Sequence, residues 1–142
     1  MYRNVVVAYD GSETAHTALA RAAEIAQSDG ASLTLVEAVA GKVPSPAPGA
    51  PPLAKPEKRA MVREDLRRAI KQVDPELQAG GWVIGGPPAK GILTVADDIG
   101  ADLIVTGSRA RGAVTRTVLG SVSTEILHGA HCDVLVVHPS TG

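Results

Sequence analysis

The chain has 142 residues, a formal net charge of −1, 44% hydrophobic residues and 2% aromatic residues, with no Phe. This length suits one domain spanning residues 1–142, and the lack of a basic excess argues against nucleic-acid binding, which needs many cations for the phosphates. No apolar run approaches the roughly 20 residues of a membrane span, and no charged leader precedes a cleavable apolar stretch, so we expect a cytoplasmic protein without membrane contact.

Short apolar runs alternate with helical stripes along the chain. The runs are continuous, which is typical of strands covered on both faces. In chain order they cover residues 4–9, 33–39, 82–84, 103–105 and 134–137. The helical stripes follow the N-cap candidate Ser12, begin at Pro56, follow Pro87-Pro88, and run from Val118 to Gly129.

The order of these elements predicts the fold class. Five strands that alternate with four helices indicate an α/β fold, in which a parallel sheet carries helices on both faces. With so few aromatic residues, the core is expected to consist of Val, Ile, Leu and Ala, with the lone Trp82 as part of it. The final strand is predicted at or near an edge of the sheet, where exposed apolar residues invite pairing with another copy.

Residues 41–56 interrupt this alternation. They hold six of the ten prolines, so they cannot form a helix or a central strand. We interpret this segment as a connector between the second strand and the second helix, with a lid over a ligand site as the alternative.

The loops after the strands carry the residues with ligand-binding potential. In parallel sheets, ligands bind beyond the carboxyl ends of strands where the strand order reverses. Asp10-Gly11-Ser12 follows the first strand, and residues 107–112 follow the fourth and lead to residues 120–123 at the last helix. Glycine-rich backbone at a helix start favours phosphate binding, with help from Arg109 or Arg111. The alternative is that these residues only shape turns and cap helices.

Three motifs in register resemble the universal stress protein family. They are Val7 to Ser12, Gly100 to Arg109, and Leu119 to Ser123, and residues 131–137 are similar to that family's last strand. The resemblance covers nearly the whole chain apart from the proline-rich segment. It implies a Rossmann-like sheet of five parallel strands, of the adenine nucleotide alpha hydrolase type, and a homodimer formed through Asp133 to Val137.

One branch of this family binds ATP through Gly, two residues, Gly, nine residues, then Gly with Ser or Thr. Here the first glycine is Gly107 and the final pair is Gly120-Ser121, whereas Ala110 replaces the middle glycine and Gly112 lies out of register. The resemblance places adenine at the backbone around Ala8 and Ala38, and ribose at Asp10. It places the phosphates among Gly107, Arg109, Ala110, Gly120, Ser121, Val122 and Ser123, and the candidate cofactor-binding residues also include Tyr9, Thr106 and Gly112.

Ala110 leaves two alternatives open. If its position has a negative φ, the alanine is harmless. If its position needs a positive φ, the methyl group costs about 1 kcal/mol and weakens binding about tenfold. The leading hypothesis is therefore a stress-response module that binds ATP, and a nucleotide-free dimeric scaffold is the second. A slow ATPase is the third, which would usually need Mg²⁺, with Asp10 as the only acidic residue in these loops to assist.

Other polar residues indicate no catalytic centre. The four histidines lack ligand partners at metal-binding spacing, so we expect them to be solvated. The single Cys132 excludes an internal disulfide and any site with several thiolates, and we interpret it as a small core residue.

Overall fold

A computed structural model describes residues 1–39, 42–43, 53–54, 56–109 and 119–139. Its strands and helices follow in the predicted alternation, with one additional pair of very short strands. They are β1 (Asn4–Ala8), α1 (Glu13–Asp29), β2 (Ser32–Ala38), β3 (Lys42–Val43), β4 (Leu53–Ala54), α2 (Pro56–Lys71), β5 (Ala79–Ile84), α3 (Pro88–Ile99), β6 (Leu103–Gly107), α4 (Ser121–Gly129) and β7 (Asp133–Val137).

The main sheet has five parallel strands in the order β5-β2-β1-β6-β7. The chain builds outward from β1 through β2 to β5, then crosses back to β6 on the other side of β1. The strand order therefore reverses at the boundary between β1 and β6. The predicted α/β class is confirmed, and β7 is an edge strand as expected.

The helices cover both faces of the sheet, as predicted. Alanines of α1, together with Leu66 and Ala69 of α2, pack on one face against the odd-numbered residues of β1. Helices α3 and α4 pack on the other face, where Ile92 and Ile126 contact a core that includes Val6. Small side chains let the helices approach the sheet closely, which is how a core almost without aromatic residues can still fill its volume.

Two regions differ from the predictions. Trp82 is 49% exposed, so placing it in the core was wrong. It lies on β5, an edge strand that begins three residues earlier than expected, and no strand among the described residues shields its outer side. Within the proline-rich segment, β3 and β4 form an antiparallel pair, which is separate from the main sheet. The rest of residues 41–55 lies outside the described residues.

None of the helices in the described part of the chain is both long and apolar enough to cross a membrane.

Candidate functional site

A cavity of about 180 Å³ opens at the carboxyl end of the sheet. Strands β1, β2 and β6 end at it, and α4 begins there, so it lies at the point where the strand order reverses. This is the location that parallel α/β sheets favour for ligands. It is lined by Ala8, Tyr9, Asp10, Ser12, Ala15, Val36, Ala38, Pro88, Ile92, Thr106, Gly107, Arg109, Gly120, Val122 and Ser123.

The structure brings most of the predicted site residues to this one cavity. Ten of them line it, from four segments of the chain: Ala8, Tyr9, Asp10, Ala38, Thr106, Gly107, Arg109, Gly120, Val122 and Ser123. Ser121 is exposed at the start of α4 and lies outside the lining. Ala110 and Gly112 fall outside the described residues, so their geometry stays a prediction.

The loop after β1 is a tight turn held by its own side chains. The Asp10 carboxylate accepts a hydrogen bond from the Ser12 main-chain N–H at 2.9 Å. Between them, Gly11 has a φ of 76°, a left-handed conformation that residues with a Cβ rarely adopt. The Ser12 hydroxyl oxygen accepts from the Ala15 N–H at 3.1 Å, which confirms Ser12 as the N-cap of α1. The turn holds Asp10 at the rim of the cavity.

The end of β6 packs tightly against the start of α1. A Cβ on Gly107 would lie 3.0 Å from the Thr14 side chain, so glycine permits this close approach. The Thr14 hydroxyl donates to the Arg109 carbonyl at 2.8 Å, and thereby fixes the first residues after the strand. The Gly120 N–H in turn donates to the Ser108 carbonyl at 2.8 Å. These contacts bring the start of α4 back to the end of β6.

Helix α4 begins at the cavity without a side-chain cap. Its N-cap is Gly120, which has no side chain to accept hydrogen bonds from the first amides of the helix. The Ser123 hydroxyl, which we expected to face a phosphate, donates instead to the Gly120 carbonyl at 3.0 Å. The uncapped amides carry the partial positive charge of the helix N-terminus, which is a position that suits an anion.

Strand β2 extends past the end of β1 and offers main-chain groups to the cavity. The Val36 carbonyl accepts from the Tyr9 N–H at 2.9 Å, so residue 36 faces β1. The Val39 N–H donates to the Ile84 carbonyl at 2.8 Å, so residue 39 faces β5. Alternation along the strand therefore turns the N–H and C=O of Ala38 toward the β1 side, where β1 has already ended. A donor and an acceptor so placed match the hydrogen-bonding edge of a planar heterocycle.

The apolar wall of the cavity includes residues that we did not predict. Pro88 and Ile92 come from the first turns of α3, and Val36 comes from β2. The sequence held a signal for Pro88, because α3 follows β5 and so begins at the same end of the sheet. Sequence reasoning missed it because Pro87-Pro88 was interpreted only as the start of a helix.

Two exposed histidines each lie close to one other polar side chain. His16 is exposed and contacts Tyr9, with their rings 5.5 Å apart and edge-on. His131 is also exposed and lies 3.2 Å from Asp97. Across the described ranges, no group of three or more His, Cys, Asp or Glu side chains could hold a metal ion. Cys132 is half-buried at the margin of one core, and this burial raises the pKa of its thiol.

The fold and the site define an α/β protein with a small cavity at the switch point of a parallel sheet. Residues 1–138 match the universal stress protein family, and the chain belongs to that family. A universal stress protein of Thermus aquaticus, from the 3′ region of a QAH/OAS sulfhydrylase gene, is 36% identical over 141 residues, which cover 96% of this chain and 99% of that one.

Solved structures of the family show the same fold. Universal stress protein UspA from Lactobacillus plantarum has a TM-score of 0.75 and 26% identity, with 96% of this chain and 97% of that chain covered. A universal stress protein crystallised in complex with cAMP has a TM-score of 0.70 and 26% identity, with 98% and 99% covered.

Proposed function

We propose that this cavity binds an adenine nucleotide, with ATP as the ligand, and that the protein acts as a regulatory module in the stress response. One observation carries the proposal: the Ala38 main chain and the uncapped start of α4 line the same cavity. The first suits the edge of a base and the second suits a phosphate. The similar protein in complex with cAMP supports the choice of an adenine nucleotide.

The size of the cavity indicates how the nucleotide would sit. Its 180 Å³ is below the roughly 300–1,000 Å³ of typical small-molecule pockets. We therefore place the base between the apolar side chains of Val36 and Ile92, and the ribose beside Asp10. The phosphates would lie at the mouth, toward Gly120 and the first amides of α4.

Among the described residues that line this cavity, a magnesium ion would find one acidic side chain, that of Asp10. Mg²⁺ at nucleotide sites commonly uses one or two carboxylates together with phosphate oxygens and water. Asp10 and the phosphates could together hold the ion, which would neutralise part of the phosphate charge.

The experiment that tests the proposal compares two Gly→Val substitutions. Gly120→Val places an isopropyl group in the cavity, and the backbone tolerates it because φ is −64°. Gly80→Val is the matched control, because a Cβ on Gly80 meets nothing within 4 Å and Gly80 does not line the cavity. Binding of ATP, ADP and AMP is measured by isothermal titration calorimetry on the wild type and both variants.

We expect Gly120→Val to weaken ATP binding about 100-fold, a loss of about 2.7 kcal/mol, and Gly80→Val to leave it unchanged. Equal ATP affinity in the two variants would reject the proposed site. No measurable binding in the wild type would favour the nucleotide-free scaffold.

We also propose a homodimer formed through β7. Val137 faces β6, since its carbonyl accepts from the Ser108 N–H, so alternation turns the main-chain groups of Val134 and Val136 outward. Val136→Pro removes an outward N–H and should spare the pairing with β6, because an edge strand tolerates proline there. Sedimentation equilibrium should give a dimer for the wild type and a lighter species for the variant, whereas a monomeric wild type would contradict the proposal.

A further inference from the structure

The opposite edge of the sheet carries a groove that the nucleotide proposal does not use. Helix α2 and strand β5 form its walls, and its volume is about 490 Å³. Leu66 and Ile70 lie at its base, where a Cβ on Gly81 would come within 3.1 to 3.3 Å of them. Trp82, the only tryptophan of the chain, lines the groove and is 49% exposed. A half-exposed tryptophan on an edge strand is a feature of interaction surfaces.

The outer edge of β5 presents main-chain groups that can pair with another strand. The Leu33 N–H donates to the Gln78 carbonyl and the Val39 N–H to the Ile84 carbonyl, so even-numbered residues of β5 face β2. Alternation turns the N–H and C=O groups of Ala79, Gly81 and Val83 outward. Within the described parts of the chain, no strand pairs with this side of β5.

A row of three cations runs along the helical wall of the groove. Arg63, Arg67 and Lys71 are spaced four residues apart, so they lie on one face of α2, and all three line the groove. Glu64 lies 3.2 Å from Arg67, whereas Arg63 and Lys71 have no ion-pair partner among the described residues. The groove is therefore cationic although the chain as a whole has a net charge of −1.

We propose that this groove binds an acidic, extended peptide segment of a partner protein, which adds a strand to the outer edge of β5. The main-chain groups of the peptide pair with those of Gly81 and Val83. Its carboxylates face the cations of α2, and an apolar side chain packs on Trp82. Strand addition to an open edge is a common mode of peptide recognition, in which side-chain contacts set the specificity.

Charge and hydrogen bonding favour this occupant over two others. A second copy that paired through β5 would bring a second row of cations against the first, which is repulsive. Single-stranded nucleic acid would meet only three cations and one aromatic side chain, and it could not satisfy the main-chain groups of an edge strand. An acidic peptide matches both the cations and the main-chain groups.

Trp82 provides the readout for the experiment, because it is the only tryptophan. We would titrate the full chain with a synthetic peptide of alternating Glu and Val, about six residues long to match β5. We expect the fluorescence of Trp82 to shift to the blue when the peptide binds. The affinity for the peptide should fall as the salt concentration is raised. The same peptide with N-methyl groups on alternate residues keeps the charge but cannot add a strand, so it should not bind.

Two double variants with equal change of charge test the cations. Arg63→Glu with Lys71→Glu reverses the charge of two groove residues, whereas Arg21→Glu with Lys58→Glu reverses two exposed cations that do not line the groove and have no ion-pair partner among the described residues. We expect about tenfold weaker peptide binding in the first pair only. Circular dichroism checks that both double variants fold.

Several results would overturn the proposal. They are equal binding of the methylated peptide, equal loss in the two double variants, or tighter binding of an oligothymidylate than of the peptide. A change of oligomeric mass in the groove variant alone would also overturn it, because that would assign the surface to a second copy. ATP binding is measured in parallel. An absence of ATP binding would reject the proposed function but would leave this inference unaffected.

Discussion

The two ends of the parallel sheet use the same kinds of residues for different purposes. At the amino end, polar groups satisfy one another: the Asp102 carboxylate accepts from the N–H groups of Arg3 and Asn4, at 2.9 and 3.0 Å. The Tyr2 hydroxyl donates to Asp133 at 2.8 Å, and this hydrogen bond raises the pKa of Tyr2. At the carboxyl end, the corresponding space is a cavity, and the helix that begins there has no side-chain cap.

We infer from this difference that the residues that stabilise the protein are separate from those that we propose to bind a ligand. Where polar groups are paired internally, their loss should destabilise the protein without affecting a ligand. Where donors are left for a ligand, substitution should change affinity more than stability. The predictions below test this division, from the largest expected effect to the smallest.

Asp102→Ala should lower the free energy of unfolding by about 1–2 kcal/mol, after allowance for solvent screening, because two main-chain donors lose a charged acceptor. Urea denaturation measures the change. Asp98→Ala is the control, because Asp98 is exposed and makes no side-chain hydrogen bond within the described part of the chain. ATP affinity should be unchanged in both, and a large loss of affinity in Asp102→Ala would contradict the division.

Ser12→Ala should cost about 1 kcal/mol of stability, because α1 loses its N-cap hydrogen bond. The control is Ser28→Ala, an exposed position in the last turns of the same helix, which should be neutral or slightly stabilising. Thermal unfolding of both variants measures the difference. An equal effect of the two substitutions would show that the cap contributes nothing.

The contribution of the Asp102 carboxylate to stability should depend on pH. Burial raises the pKa of this carboxyl, but the main-chain hydrogen bonds from Asn4 and Arg3 outweigh it, so the pKa lies below its ordinary value of 3.8. A depressed pKa contributes stability above the unfolded-state value, and that stability is lost as the pH falls through the folded-state value.

The difference in unfolding free energy between the wild type and Asp102→Asn should therefore be constant above about pH 5 and shrink below about pH 4. Urea denaturation across this range measures it. A difference that grows on acidification would contradict the assignment.

Asp10→Asn should have the smallest effect. The Asn side-chain oxygen can still accept from the Ser12 N–H, so the turn is kept while the negative charge is lost. The increase in ATP affinity between EDTA and Mg²⁺ should be several-fold smaller in the variant than in the wild type. Equal Mg²⁺ dependence in both proteins would exclude Asp10 as a metal ligand.

The sequence predicted the elements of the fold better than it predicted what their residues contact. Continuous apolar runs identified the strands, because a strand covered on both faces buries most of its side chains. The same reasoning failed for Trp82, because an apolar residue on an edge strand has the same sequence pattern as one in a central strand. Strand order, which made β5 an edge, depends on contacts between distant segments.

Some residues of the site could be predicted from their positions in the chain, and others could not. Asp10, Gly107 and Gly120 stand in loops that a parallel sheet must bring to one end, so spacing alone could group them. Ile92 could not be found this way, because it belongs to an ordinary apolar stripe of α3. Nor could spacing reveal that the Ser123 hydroxyl donates to the carbonyl of Gly120, the N-cap of its own helix.

The central claim is that an adenine nucleotide occupies the cavity at the carboxyl end of the sheet. A crystal structure of the wild-type protein with saturating ATP tests it most directly. We predict that the adenine edge hydrogen-bonds to the main chain of Ala38 and that a phosphate accepts from the first amides of α4. An empty cavity under these conditions, or ATP bound elsewhere on the surface, would contradict the account.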